Sequence, residues 1–225
     1  MNPREQFGLI DIYLFDQLLK GRIVPGMRLL DAGCGEGRNL GYFLREGYEA
    51  YGVDRSPEAI RAVRRLAHGL TGEQLEERFR VEPLEKLSFA NDSFDAVVAC
   101  AVLHFAEHDE HFRQMITELW RVLKPGGLLF VRLASTIGIE DLVVPLGNRR
   151  FALPDGTERY LADLEFLHKW TDKLHGLFVE PIKTVQVERQ RSMTTWCVKK
   201  PHILFFDPIE DSLVPYEGEE EREQV

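Results

Sequence analysis

The stretch "LLDAGCGEGRN", residues 29–39, is an apolar run that ends in an acid and then breaks into Gly33, Gly35 and Gly37 on alternate positions. An extended segment running into such glycines reads as a strand turning sharply into a helix. The missing side chains let a ligand lie against the backbone beside the N–H groups that a helix leaves free at its start. Glycines also serve tight strand-to-helix packing, so the turn alone leaves two readings open. A second signal lies at Asp54, the last residue of "YEAYGVD" (48–54). A carboxylate at the end of the second strand can accept hydrogen bonds from both hydroxyls of a ribose lying over the first turn. The plainer reading, in which Asp54 opens the "DRSPEAI" turn and Ser56 caps a helix, leaves its pairing with the glycine run unexplained.

Outward from this pair, strand-like and helix-like segments alternate. "RLLDAG" (28–33), "YEAYGVD" (48–54), "FRVEPL" (79–84), "FDAVVACAV" (94–102) and "GGLLFVRLAS" (126–135) are short, apolar or β-rich, and bounded by turn formers. Between them, 37–47, 56–70 and 109–127 have helical spacing; in the last, Phe112, Met115, Ile116, Leu119 and Leu123 form a packing stripe and Pro125-Gly126-Gly127 a stop. Alternation of this kind predicts an α/β fold with a doubly wound, mostly parallel sheet and a ligand site at the carboxyl ends of its strands.

Composition narrows the function classes. The net charge of −9 is concentrated in residues 207–225, where eight acids face only Arg222, so the body is nearly neutral and carries no long basic stripe for duplex nucleic acid. The run "EGEEEREQV" predicts a solvated terminus. Cys34, Cys100 and Cys197 are far apart and odd in number, which suggests neither a disulfide framework nor a zinc site and fits a reducing cytoplasm. The longest apolar stretch, 96–106, is too short to span a membrane, and the N-terminus lacks a signal-peptide pattern.

With "LLDAGCGEGRN", "GVDRSPEAI", "LSFANDSFDAVVACAVLHF" and "LWRVLKPGGLLFV" in this order, the chain resembles the class I S-adenosylmethionine-dependent methyltransferases over roughly residues 25–200. The small-molecule branch typified by ubiquinone/menaquinone-biosynthesis and tellurite-resistance enzymes is the most similar. The resemblance implies a Rossmann-like, seven-stranded sheet closed by an antiparallel C-terminal hairpin, with S-adenosylmethionine as cofactor and S-adenosylhomocysteine as product. It places Gly33, Gly35 and Gly37 against the methionine half of the cofactor with Asp31 near its amino group, Asp54 at the ribose, and Cys34, Asn39 and Arg55 among the further cofactor-binding residues. Either Glu82 or the backbone near Leu84 would serve the adenine; Cys100 and the residues up to His104 would face the sulfonium and the acceptor. His104 is the candidate general base, with an orienting role as its alternative. His104, His108 and His111 have no accompanying carboxylate pattern that would make them a metal site.

The segments around the core are expected to select the acceptor. Residues 1–24 form a helical lid in this reading, with Tyr13 and Phe15 as lid residues, or with Leu9, Ile12, Phe15, Leu18 and Leu19 in ordinary core packing. Within 137–162, a second lid, "GNRRFALPDGTERYLA" reads as two short strands around a Pro-Asp-Gly turn; Arg149, Arg150, Arg159 and Tyr160 there are candidates to meet a carboxylate or phosphate, or else belong to an exposed hairpin. A helix over 163–178 and paired strands over 179–189 and 191–200 complete one domain of residues 1–200, followed by the acidic tail 201–225. Lys183, Arg189, Arg191, Lys199 and Lys200 read as a solvated face. The apolar run 202–209 is expected to dock on its own sheet or on a second subunit, leaving monomer and homodimer both open. The expected protein is a cytoplasmic methyltransferase with a small-molecule acceptor and neither nucleic-acid nor membrane partner. Two rivals stand beside it: a cofactor-binding partner protein without turnover, and a nicotinamide-dependent oxidoreductase, whose G-x-G-x-x-G would put the third glycine one residue after Gly37.

Overall fold

A computed structural model describes residues 2–202. The expectations for the acidic terminus and for the apolar run beyond His202 lie outside the described residues.

Five parallel strands form the centre: β1 (Arg28–Ala32), β2 (Glu49–Asp54), β3 (Phe79–Val81), β4 (Phe94–Cys100) and β5 (Leu123–Ser135). With β6 (Val144–Gly147), β7 (Arg150–Ala152) and β8 (Glu158–Tyr160) set apart as a small antiparallel sheet, the main sheet continues through β9 (Leu177–Phe178), β10 (Lys183–Val187) and β11 (Arg191–Lys199). Its order is β10-β11-β5-β4-β1-β2-β3, and β11 runs antiparallel to both neighbours. The expected seven strands are there, and the two-residue β9 adds an eighth by pairing with the end of β11. The chain passes from β1 outward to β2 and returns to β4 on β1's other side, so the strand order reverses at β1 and opens a crevice above β1 and β4.

Helices cover both faces. On one, α4 (Pro57–Thr71) buries Ala59, Ile60, Val63 and Ala67; Ser56 caps it by accepting from Ala59 N–H, Pro57 occupies its first turn, and Gly72 ends it at φ 72°. The short α3 (Leu40–Arg45) packs beside it, beginning later than the expected 37. On the other face, α5 (Asp109–Val122) buries the predicted stripe, with Val122 as its last member. The helix stops before the expected 127, and Leu123 already pairs with Phe94 as a strand. Pro125 explains this, because its ring would clash with a helical carbonyl four residues back and it biases Lys124 toward extended backbone. Helix α6 (Leu164–Lys173), capped by Asp163, ends short of 178; Thr171 on it accepts a hydrogen bond from the buried Trp196 indole at 2.9 Å.

The N-terminal segment departs most from expectation. It forms two helices, α1 (Pro3–Phe7) and α2 (Ile12–Leu19), broken at Gly8, whose φ is 66°. Asp11 starts α2 by accepting from Tyr13 N–H, and this new start sets which face turns inward. Leu14 and Gln17 are buried, whereas Leu9, Ile12 and Leu19, expected in the core, are 61%, 72% and 73% exposed. Gln17, Lys20 and Arg22 tie this end of the chain to Glu180.

The three glycines of the opening turn do different jobs. A Cβ on Gly37 would sit 2.7 Å from Val63 and 2.9 Å from Leu66, and one on Gly33 would sit 2.5 Å from Val102, so both are kept bare by protein packing. Only beside Gly35 is the space open, with nothing within 4 Å. All three have positive φ. Gly37→Ala should therefore cost about 2–4 kcal/mol in urea unfolding, overpacking added to backbone strain, and Gly35→Ala only about 1–2 kcal/mol from strain alone. Equal losses would contradict this division of roles.

Candidate active site

The loop after β1 hangs on the end of β2. Gly33 and Cys34 N–H both donate to the Val53 carbonyl, at 2.8 and 2.9 Å, and Gly35 N–H donates to Asp54 Oδ2 at 2.9 Å. Asp54 Oδ1 accepts from Ser56 N–H at 2.8 Å. A carboxylate offers roughly four acceptor positions, so two remain on Asp54 for a ligand. Gly37 N–H is also spent, on the Cys34 carbonyl.

Two cavities meet over this loop. The smaller, about 290 Å³, holds Asp54, Arg55, Glu82 and Leu84 with His111 and Met115 on its wall. The larger, about 510 Å³, is bounded by Cys34, Gly35, Asn39, Cys100 and His104 among others. Gly33, Ala101 and Phe105 line both. The predicted ribose and adenine residues thus fall together in one cavity, and most of the predicted methionine-half residues in the adjoining one. Glu82 is engaged by Ser88, whose backbone N–H it accepts at 3.0 Å, and its own N–H donates to the Asp54 carbonyl. Asp31 and Gly37 line neither cavity.

Asp31 lies beneath the loop, 1% exposed, and both of its oxygens are buried without a hydrogen-bond donor. Burial pushes its carboxyl up to about 7, against the pull of the nearby Arg38 guanidinium and of the Asn39 side chain, which lies beside it without completing a well-formed hydrogen bond. A buried carboxylate with no donor is a site that a cation, or a water shared with one, would satisfy. Together with the open side of Gly35 and the spare acceptors of Asp54, it fits a ligand with a ribose on one side and a positive charge on the other.

The larger cavity is lined with cationic groups that sequence periodicity does not single out. Arg132 on β5 donates to Asp11 at 3.0 Å, and Arg38 donates to the Cys100 sulfur at 3.3 Å. Asp11 N–H in turn donates to Asn39 at 3.0 Å, so the segment that begins α2 closes over the glycine loop. Burial raises the Cys34 and Cys100 thiols, that of Cys100 to about 12, and keeps both neutral. Ala101 follows β4 with φ 62°, a conformation rare for alanine, and its N–H reaches the Arg132 carbonyl at 2.7 Å.

His104 lines the larger cavity. Its Nδ1 accepts from Ala134 N–H at 3.1 Å, so the neutral ring carries its proton on Nε2. Burial, with the Arg159 and Arg132 charges, lowers its value to about 4. In this neutral form the free nitrogen of the imidazole, Nε2, carries a hydrogen. His108 caps α5 and His111 pairs with Glu85 at 2.6 Å, so the three histidines serve three separate partners.

Of the expected anion-binding group in the 137–162 segment, three residues have other work. Arg149 is paired with Asp163 at 2.9 Å over the Phe166 ring, Arg150 pairs with Glu158 at 3.1 Å, and Tyr160 is fully buried with its hydroxyl on Asp109. Arg159 alone of the four lines the cavity. The hairpin itself is present as β7 and β8, with β6 as an additional strand.

The profile of a family described as "Methyltransferase domain" matches residues 30–131, which run from β1 into β5. The ubiquinone biosynthesis O-methyltransferase of Xanthomonas oryzae pv. oryzae is 33% identical over 140 residues, 61% of this chain. The aligned region spans 56% of that relative's length. A S-adenosylmethionine-dependent methyltransferase from Methanosarcina mazei superposes with a TM-score of 0.68 at 22% identity, over 82% of this chain and 97% of that one. The 1,6-didemethyltoxoflavin-N1-methyltransferase of Burkholderia thailandensis, solved with 1,6-didemethyltoxoflavin and S-adenosylhomocysteine bound, gives 0.60 at 22% identity, over 84% and 76%. The two structural likenesses carry the fold, and the profile falls on the strands that build the glycine loop and both cavities. Over β1 to β5 this chain is similar in sequence to methyltransferase domains, and its fold is that of the S-adenosylmethionine-dependent methyltransferase structures it superposes on.

Proposed function

We propose that the chain transfers a methyl group from S-adenosylmethionine to an oxygen of a small-molecule acceptor. The observation that carries this is the pair of adjoining cavities: one of nucleoside size beside Asp54, opening across Gly33, Ala101 and Phe105 into a larger one. Oxygen as the acceptor atom rests on the O-methyltransferase name of the sequence relatives.

In this reading Asp54 accepts from the ribose hydroxyls with the two positions its loop contacts leave free, while Arg55 and the Glu82–Leu84 segment border the adenine. Gly35 gives the methionine portion its approach, with Asn39 and Cys100 alongside, and Asp31 beneath the loop supplies the negative charge for its ammonium. When bound, the sulfonium supplies an already activated methyl group, so the protein's task is to align the acceptor and exclude water. His104 Nε2–H orients the acceptor as a donor. The Arg132 and Arg159 charges lower the acceptor hydroxyl's pKa, so that its proton passes to bulk water as the acceptor enters and the oxyanion that remains takes the methyl group from the sulfonium. The segment that begins α2 and the β6–β8 sheet act as the two lids.

A nicotinamide dinucleotide is disfavoured by the loop itself. Binding a pyrophosphate there needs free N–H groups, and those of residues 33, 34, 35 and 37 are all committed to Val53, Asp54 and Cys34. The larger cavity extends beyond the methionine-half residues Gly35, Asn39 and Cys100 to Arg159 and Arg191, room that a cofactor-binding partner without turnover would leave unused.

Replacement of Asp54 with Ala should weaken S-adenosylhomocysteine binding roughly 10- to 100-fold in calorimetry, the equivalent of ~1.5–3 kcal/mol for hydrogen bonds to a charged group. Unchanged affinity would end the ribose assignment. His104→Ala should lower kcat/KM about tenfold, leave S-adenosylhomocysteine affinity intact, and keep the alkaline limb of the pH profile, which belongs to the acceptor. Loss of that limb would restore the histidine as base. Asp31 offers a test free of turnover. Because its folded value is raised from 3.8 to about 7, the folded state holds the proton more tightly, and stability falls as pH rises from about 4 to 7 and the buried group ionises. Asp31→Asn lacks that cost. The ligand-free variant should gain stability over the parent across this window, by a few kcal/mol at most, and the two should converge near pH 4. A constant difference at all pH values would contradict the buried, unpaired carboxylate.

A further inference from the structure

The arginines around the larger cavity are not equivalent. Arg132 is held by Asp11, while Arg149 and Arg150 are held by Asp163 and Glu158 outside the cavity wall. Arg38 lies 4.0 Å from Asp11 and contacts Cys100. Arg159, on β8, and Arg191, the first residue of β11, both line the cavity, and among the described residues neither forms an ion pair. Arg159 spends one nitrogen on the Glu158 carbonyl at 2.7 Å and lies 5.0 Å from the centre of the Phe105 ring, which leaves the rest of its fork unengaged. The nearest acid is Asp155 on the same wall, whose carboxyl is lowered first by Thr157, through N–H and hydroxyl contacts of 3.0 and 2.6 Å, and only further down by the Arg191 and Arg159 charges. The same Arg159 charge reaches His104. Arg159 thus shares the wall with His104 on one side and with Arg191 and Asp155 on the other, and the cavity lining as a whole carries Arg38, Arg132, Arg159 and Arg191 against Glu36 and Asp155.

Two guanidiniums without an ion pair, on a cavity wall that also carries Phe105, Leu153, Val187 and Met193, set a cationic end beside an apolar strip of an otherwise polar cavity. We propose that the acceptor carries an oxyanion, carboxylate or phosphate, which Arg159 and Arg191 engage while its apolar body lies along Phe105 and Met193. A guanidinium fork matches either oxyanion in a bidentate manner; Arg159 is half-buried and Arg191 exposed at the rim, so both forks can be reached from solvent. The anion fixes which end of the acceptor points toward His104 and so which oxygen is presented.

This inference rests on the methyltransferase reading, and the experiment separates the two. Protein saturated with S-adenosylhomocysteine is titrated with benzoate, phenyl phosphate and benzyl alcohol, following amide chemical shifts. At least one anion should bind tenfold or more tightly than the alcohol. The double variant Arg159→Gln, Arg191→Gln should abolish that preference and keep its S-adenosylhomocysteine affinity, which also certifies its fold. Preference for benzoate alone assigns a carboxylate, and for phenyl phosphate alone a phosphate. Equal binding of the three probes, binding of none, or an anion preference that survives the double substitution would overturn the proposal. Failure of the parent protein to bind S-adenosylhomocysteine would instead overturn the underlying reading, and the anion preference is then read on the ligand-free protein.

Discussion

Three consecutive backbone amides, those of residues 33–35, are tied to the last two residues of β2, and the site depends on this fastening. Strand pairing brings Ala32 level with Val53, so the first loop leaves the sheet directly over the end of its neighbour. The Asp54 carboxylate then serves as a post: one oxygen holds the loop, the other holds the start of α4 through Ser56. A ligand arriving at Asp54 meets a group whose position is already set from two sides. That is preorganisation of the kind that lowers the cost of binding, because the ordering is done by folding.

The same fastening settles what the glycines are for. With Gly33 pressed against Val102 and Gly37 against Val63 and Leu66, the loop is locked laterally between the turn that follows β4 and α4. Only Gly35 faces open space, so the close approach of a ligand to backbone is concentrated at a single residue. Beneath it, Asp31 remains a buried carboxylate without a donor, a local expense that the packed sheet around it can absorb and that a bound cation would relieve.

How much of this was legible in the sequence follows from the range of the interactions. The glycine turn, Asp54, the α5 stripe and the Ser56 cap are local patterns, and the structure places each where its spacing puts it. The N-terminal helix phase was misread because one residue, Asp11, resets it, and its own partner Arg132 lies 121 positions away. His104 was recognisable as a cavity residue, yet its tautomer depends on Ala134 N–H, a strand away. Arg149 and Tyr160 looked available in a polar hairpin because their partners, Asp163 and Asp109, become neighbours only when the small sheet folds back on α5 and α6. Ala101 carried no signal at all, since nothing in an alanine announces a positive φ.

Charge in the larger cavity explains why the neutral His104 and the arginines belong together. An imidazole flanked by two guanidiniums in a poorly solvated wall is held in its uncharged form, and the Ala134 amide fixes which nitrogen keeps the hydrogen. The donor therefore points into the cavity across the neutral pH range, unaffected by titration near the ordinary histidine value. A hydroxyl brought beside it enters a field of positive charge that stabilises the deprotonated oxygen, the form that attacks a sulfonium methyl most readily. In the proposed reading, acceptor activation comes from the field of the wall, with Asp54 and Asp31 on the cofactor side and the arginines on the acceptor side.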